Sequence, residues 1–298
     1  KIHFDLAATI QKITEECVMH SLKWLKKETK KENLCLTGGL FMNSVINGIV
    51  SKDKTFKKVY IPYAPDDSGN AIGAALWTYY QKNKIKKNKI KTTPFLGYEY
   101  TEKEILNTLK KFKIKFKKSK NLANEVANLI SNGELVGWFQ GKMEFGQRAL
   151  GCRSILADPR KKNMKDIVNK AVKFREGFRP FAPSVIQNSV SDFFEINNDM
   201  NSPYMEKVFK IKNNKRRVIP AVTHFDGSGR LQTVDKFSNP LFYDLIYEFN
   251  KLTNVPVLLN TSFNTSGEPI VESPADAIKT FFSSGLTILA IGPYIIKK

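Results

Sequence analysis

Two short apolar segments each end in a glycine-bearing turn that opens into a helix, and this repeated order constrains the fold more than any other feature of the chain. Asn33-Leu-Cys-Leu-Thr37 runs into Gly38-Gly39 and then a helix carrying Asn43 and Asn47. Lys58-Val-Tyr-Ile-Pro62 leads to Pro65-Asp66-Asp67-Ser68-Gly69 and the small-residue helix Ala71-Ile-Gly-Ala-Ala-Leu-Trp77. Strand, glycine turn and helix in repetition is α/β architecture. Ahead of them, residues 4–29 read as an amphipathic helix with Leu6, Ile10, Ile13, Cys17 and Trp24 on one stripe.

A length of 298 residues predicts two domains, each large enough for its own core. The lysine- and asparagine-rich stretch 81–94, closed by Pro94, is the linker candidate, leaving residues 1–80 and 95–298 as the domains. In the second domain, 101–133 reads as helical and Glu134–Phe139 as a strand. A loop-rich segment runs to about residue 240. Helix 241–252, strand Val255–Leu259, helix 274–284 and two short terminal strands follow. The chain starts at Lys1 and enters directly in a helix, which leads us to expect a fragment, a processed product or a split subunit.

Composition narrows the function classes. No apolar run reaches the ~18 residues that span a bilayer, and Lys1-Ile-His-Phe-Asp5 has no signal-peptide pattern. The three cysteines show no CxxC spacing, so neither a disulfide framework nor a zinc knuckle is expected, and a reducing cytoplasm fits. The net charge of +20 invites a nucleic-acid reading. Much of it lies in Lys84–Lys91 and Lys110–Lys120, where isoleucine, asparagine and phenylalanine interleave, and no RNP, KH or zinc-finger signature supports that reading.

Arginine use is more telling. All eight arginines lie between residues 148 and 230, whereas the forty lysines span the chain. Where lysine is the default cation, a concentration of planar five-donor forks points to bidentate binding of phosphate or carboxylate. Gly141-Lys-Met-Glu-Phe-Gly-Gln-Arg148-Ala-Leu-Gly-Cys-Arg153-Ser154 holds two of them, and Lys173, Arg175 and Arg179 follow in Val172–Pro183. Like charges gathered this way suit a polyphosphate, acyl phosphate or nucleotide; a surface salt-bridge network is the structural alternative.

Four other groups of residues could be functional or structural. Gly38-Gly39 leaves backbone N–H groups for a ligand or simply makes a turn. Asp67, at a strand's carboxyl end, suits a metal or an N-cap. His224, with Asp226 and Arg230 in a glycine-bearing loop, can ligate, move protons or make a structural hydrogen bond. Asn260-Thr261-Ser262 suits ribose, base or phosphate recognition, or a capping turn.

Leu36-Thr-Gly-Gly-Leu-Phe-Met-Asn43, Asp67-Ser-Gly-Asn-Ala-Ile-Gly-Ala-Ala75, Gly141–Asp158, Lys173–Pro183, His224–Val234 and Leu258–Glu268 together resemble the O-carbamoyltransferase family of nodulation-factor and antibiotic carbamoyltransferases, collinearly over nearly the whole chain. The resemblance implies the second half of an actin-like ATPase (Kae1-like) module followed by a YrdC-like α/β domain. It implies that the second module makes carbamoyl-adenylate from carbamoyl phosphate and ATP, with Mg2+ accompanying ATP. The first then transfers the carbamoyl group to the hydroxyl of a small-molecule acceptor such as a sugar or antibiotic, assisted by iron or a similar divalent metal.

Carried over by position, Arg148, Arg153, Lys173, Arg179 and Arg230 match carbamoyl-phosphate and nucleotide-phosphate contacts. Asn260, Thr261 and Ser262 match the remaining walls. Gly38, Gly39 and Asn43 match nucleotide contacts, and Asp67 matches a metal ligand. Arg160, Arg175, Arg216 and Arg217 receive no role. The chain departs from the pattern in lacking a His-x-x-x-His pair, since its histidines are His3, His20 and His224. Transfer is therefore expected in an intact enzyme that has the missing N-terminal half, or with a partner chain. The alternative is a non-catalytic or split subunit completing a carbamoyl-transfer complex, acting on tRNA.

Overall fold

The computed structural model describes residues 2–83, 93–197 and 200–298, and the chain divides into two compact units, residues 1–85 and 86–298. The first unit runs α1 (Ile2–Thr29), β1 (Asn33–Cys35), α2 (Ser44–Lys52), β2 (Lys58–Tyr60) and α3 (Gly69–Asn83). Strands β1 and β2 pair in parallel, as a strand–helix–strand crossover requires. Their small core joins Val18 and Leu22 of α1 to Leu34, Leu36, Ile46, Val50, Phe56 and Ile61.

The second unit contributes β3 (Phe95–Glu99), α4 (Glu102–Lys111), β4 (Lys117–Lys118), α5 (Leu122–Ser131), β5 (Val136–Phe139), β6 (Lys142–Glu144) and β7 (Arg153–Ala157). It continues with α6 (Met164–Val168), β8 (Ala182–Ile186), α7 (Val190–Phe193), β9 (Lys207–Lys210), β10 (Ser228–Val234), α8 (Pro240–Thr253) and β11 (Val257–Ser262). The last elements are α9 (Pro274–Phe282), β12 (Ile288–Ile291) and β13 (Tyr294–Lys297). Nine strands form one mixed sheet in the order β4-β13-β12-β5-β7-β11-β8-β10-β9. Pairs β5–β12 and β8–β10 are parallel and the rest are antiparallel. Strands β5, β7, β8 and β12 are buried at every residue, which is why β5 and β12 read as short continuous apolar runs rather than alternating ones.

Helix boundaries follow local chemistry. Thr101 and Glu104 form a capping box at α4, and Ser273 and Asp276 form one at α9. Asn239 caps α8, Pro240 occupies its first position, and Asn254 ends it in the left-handed conformation. Helix α5 packs along α8, and Trp138, fully buried, donates its indole N–H to the carbonyl of Gly151. No helix among the described residues is long and apolar enough to cross a membrane.

Three expectations are corrected. Residues 101–133 form two helices, because the chain turns through Lys113 at φ 53° and makes the two-residue strand β4 before α5 starts. The segment to residue 240, expected to be loop-rich, contains β6 to β10. Its strands are short, and β10 buries polar side chains, so no apolar alternation marks it. On α1 the stripe Leu6, Ile10, Ile13 and Trp24 is exposed, while Val18 and Leu22 face the core. Of the expected linker, residues 81–83 belong to α3 and residues 84–92 lie outside the described residues.

Candidate functional site

The second unit contains a cavity of about 400 Å³ lined by Gln147, Arg148, Ala149, Arg175, Phe178, Arg179, Pro180, Phe181, Met205, Arg230, Asn260, Thr261 and Ser262. Four stretches far apart in sequence supply its polar groups. The β6–β7 loop supplies Arg148, the segment before β8 supplies Arg175 and Arg179, and strands β10 and β11, which flank β8, supply Arg230 and the polar run 260–262.

Four guanidinium groups therefore border one space. Burial lowers the proton affinity of Arg148. Burial, with Arg148 and Arg175 beside it, brings Arg230 down to about 9. Arg175 is lowered by burial and by Arg179, and its guanidinium lies 4.6 Å from the centre of the Phe181 ring. The buried Nε atoms of Arg175 and Arg230 have no hydrogen-bond partner. Around the cavity, Arg179 makes a loose i,i+3 pair with Glu176 at 3.7 Å, and no carboxylate pairs with Arg148, Arg175 or Arg230 among the described residues. Desolvated cations without counter-charge are costly in a protein standing alone, and a bound polyanion offsets that cost.

The part of the wall around Asn260 is organised by side-chain hydrogen bonds. Asn260, almost fully buried, donates from Nδ2 to the Ala149 carbonyl, Ser184 Oγ and Gln232 Oε1 at 3.2, 3.1 and 3.0 Å, while its Oδ1 has no partner. Lys173 ends a π-helical turn over Asn169–Lys173 and lies behind the lining. Its Nζ donates to the Ser262 and Asn264 carbonyls at 2.6 and 2.9 Å, to Asn264 Oδ1 at 2.6 Å and to Ser262 Oγ at 3.2 Å. Burial, then Arg175, pushes its pKa down to about 7.

Arg153 is elsewhere. It is 0 % exposed, with its guanidinium 3.6 Å from the centre of the Phe139 ring and Nη1 donating to the carbonyls of Gln140, Gly141 and Cys152. The geometry makes it a clamp on the turn around Gly141, and it is not among the residues that line the cavity. Arg160 pairs with the fully buried Asp158 at 2.7 Å. His224, lowered to about 4 chiefly by burial, is neutral at physiological pH; its Nδ1 lies 3.1 Å from Ser228 Oγ and its Nε2 is buried without a partner.

Sequence reasoning assigned no role to two residues that build this site. Arg175 lines the cavity, and the signal was its place between Lys173 and Arg179. Glu144, 6 % exposed, accepts three backbone N–H groups of the Arg148 loop on one oxygen, and nothing in its spacing marks it.

Beside this cavity lies a second one of about 630 Å³, bordered by Phe95, Leu150, Asn201, Tyr204, Gln232, Asp235, Phe237 and Asn239 among others, with no lysine or arginine among the described residues that line it. The two share neighbours along the chain, Ala149 with Leu150 and Met205 with Tyr204, so one partition separates them.

In the first unit, Gly38 takes φ 105° and donates its N–H to the Pro65 carbonyl, and a Cβ on Gly38 or Gly39 would meet open space. Asn43 spends Oδ1 on the N–H groups of Val45 and Ile46 as the cap of α2, and Nδ2 on Gln11. Asp67 is exposed in the turn before α3. No three His, Cys, Asp or Glu side chains come together as a metal site among the described residues, so this donor set does not by itself fit a catalytic metal.

A carbamoyltransferase C-terminus profile matches residues 127–298 and a carbamoyltransferase N-terminus profile matches residues 1–76. The chain belongs to the carbamoyltransferase family. It is 40 % identical over 301 residues to nodulation protein NolO of Bradyrhizobium diazoefficiens, covering 99 % of this chain and 55 % of that protein. It is 40 % identical over 301 residues to nodulation protein NolNO of Sinorhizobium fredii, covering 99 % and 44 %. Nodulation protein U of Azorhizobium caulinodans is 32 % identical over 290 residues, covering 92 % and 47 %. The chain spans about half the length of the relatives it matches.

Proposed function

We propose that the arginine cavity is an adenylation site, where carbamoyl phosphate and ATP give carbamoyl-adenylate, and that the intact enzyme transfers the carbamoyl group to a small-molecule hydroxyl. The observation that carries this reading is the convergence of Arg148, Arg175, Arg179 and Arg230 on one cavity, with the first, second and fourth lowered by burial. Adenylation brings two anions together, so their repulsion must be cancelled before the acyl oxygen can approach the α-phosphorus. The balanced reaction consumes one water and releases orthophosphate from carbamoyl phosphate and pyrophosphate from ATP. The departing pyrophosphate needs the same cations, because negative charge grows on it as the bond breaks.

The chain's own groups divide the work. The guanidinium groups hold phosphates from three sides, with Mg2+ arriving as part of the nucleotide substrate. Lys173 fixes the end of β11 through the Ser262 and Asn264 carbonyls, and so holds Thr261 at the cavity wall beside the bound anion. Asn260 Oδ1 is left to accept from an N–H donor, which a carbamoyl amide supplies. The neighbouring cavity without lysine or arginine suits the uncharged parts of the nucleotide.

In architecture, we read residues 1–80 as part of an actin-like transfer module and residues 95–298 as a YrdC-like module. Transfer attaches the acceptor oxygen to the carbamoyl carbon with AMP leaving. Gly38, Gly39 and Asn43 belong to a nucleotide-contacting edge in this reading. A transfer-site metal on Asp67 would need ligands other than the described residues. The match to both carbamoyltransferase profiles supports this reading over a non-catalytic subunit acting on tRNA.

The test is pyrophosphate release from ATP by the purified chain. Release that requires carbamoyl phosphate is expected, and release indifferent to carbamoyl phosphate would overturn the assignment.

A further inference from the structure

The β6–β7 loop carries Gln147, Arg148 and Ala149 into the cavity wall, yet no ion pair to Arg148 is present among the described residues to hold that loop in place. The restraint comes from beneath. Glu144 closes β6 with its side chain buried, and its Oε1 accepts the backbone N–H groups of Leu150 and Cys152 at 2.7 Å each and of Arg153 at 3.1 Å. Three donors on one carboxylate oxygen are charge-assisted hydrogen bonds, shorter and stronger than neutral ones. Gly146 at φ 112° and Gly151 at φ 103° let the backbone fold around that oxygen. A Cβ on Gly151 would lie 2.3 Å from the Phe242 ring, so the chain is pressed against α8 on the far side. Leu150 adds an apolar anchor with Ala182 and Met205. The loop is thus pinned on its C-terminal side, immediately after Arg148, and a buried negative charge does the pinning.

We infer that Glu144 is a positioning residue for anion binding: its carboxylate gathers the N–H groups of residues 150, 152 and 153 and thereby fixes where the Arg148 guanidinium stands in the cavity. This rests on the cavity being an anion site and does not depend on which reaction the cavity performs. A neutral amide at this position keeps the volume and one oxygen acceptor but loses the charge that strengthens all three bonds. It also puts an NH₂ group where an oxygen stood. The consequence is a looser Arg148, felt by a bound anion only through Arg148.

A double-mutant cycle on the chain, read as affinity for inorganic pyrophosphate by calorimetry, tests this. Glu144→Gln is expected to weaken binding about tenfold, the equivalent of one charged hydrogen bond's worth of alignment. In an Arg148→Ala background the same change is expected to weaken it less than twofold, because the cation it positions is already gone. Glu144→Asp, which keeps the charge, is expected to recover part of the loss. Equal losses in both backgrounds, or a Glu144→Gln protein with unchanged affinity whatever its melting temperature, would overturn the inference. So would failure of the unmodified chain to bind pyrophosphate. Pyrophosphate binding without carbamoyl-phosphate-dependent turnover would instead count against the adenylation reading alone.

Discussion

The two units offer opposite kinds of candidate site. In the second, cations are gathered from three separate stretches, and Arg148, Arg175 and Arg230 are lowered by burial with no carboxylate paired to them among the described residues. In the first, the candidate groups are exposed or occupied: Asp67 stands in an open turn, and Asn43 is consumed by a helix cap and Gln11. The first unit also leaves Leu6, Ile10, Ile13 and Trp24 uncovered along α1. Unfavourable electrostatics kept in a folded core is the stronger sign of function, since stability alone would remove it.

The contrast can be broken most severely at Arg230. Arg230→Met should lower carbamoyl-phosphate-dependent pyrophosphate release by about 10²–10³-fold, the range for one preorganised group facing developing charge. The same variant should melt about 2–4 °C higher by calorimetry, on the order of 1 kcal/mol, because it removes a desolvated cation facing Arg148 and Arg175. A loss of both activity and stability would place Arg230 among ordinary structural residues.

Arg148→Lys keeps the charge and loses the fork, and should cost about 10–100-fold in kcat/KM for ATP. Arg160 sharpens the comparison from the other side, because it faces Asp158 and not the cavity. Arg160→Ala leaves a buried carboxylate short of its partner and should cost about 1–3 kcal/mol in denaturant unfolding, while turnover per folded molecule stays unchanged.

The smallest effect is a proton. Lys173 has its pKa near 7, so at pH 8 most of the free protein carries it neutral. A bound polyphosphate raises that pKa, so ATP binding at pH 8 should take up close to one proton. Calorimetric titrations in two buffers of different ionisation enthalpy measure the uptake, and Lys173→Met should abolish it. His224, near 4, contributes nothing in that range.

How much of this was legible in the sequence depends on what kind of interaction sets each part. Arg148, Arg179 and Arg230 stand out as arginines in a lysine-rich chain, and the cavity brings them together. Helices α8 and α9 carry their start signals in Asn239-Pro240 and Ser273-Pro274. Strand β10 was illegible as a strand because Arg230, Gln232 and Thr233 serve the site and its partition, which erases the apolar alternation. Arg153 shares a motif with Arg148 but points to backbone carbonyls, a distinction made by three-dimensional packing against Phe139. Glu144 gave no signal at all, since its three partners are backbone N–H groups that every residue possesses. On α1, helical spacing identified an apolar stripe but could not say which stripe the unit buries.

The most direct test of the adenylation cavity is exchange of isotope-labelled pyrophosphate into ATP by the purified chain. The exchange reads reversal of the step in which an acyl oxygen displaces pyrophosphate. Label entering ATP only when carbamoyl phosphate is present, and not in Arg230→Met, is the predicted result. Absence of exchange by the unmodified chain, or equal exchange without carbamoyl phosphate, would contradict it.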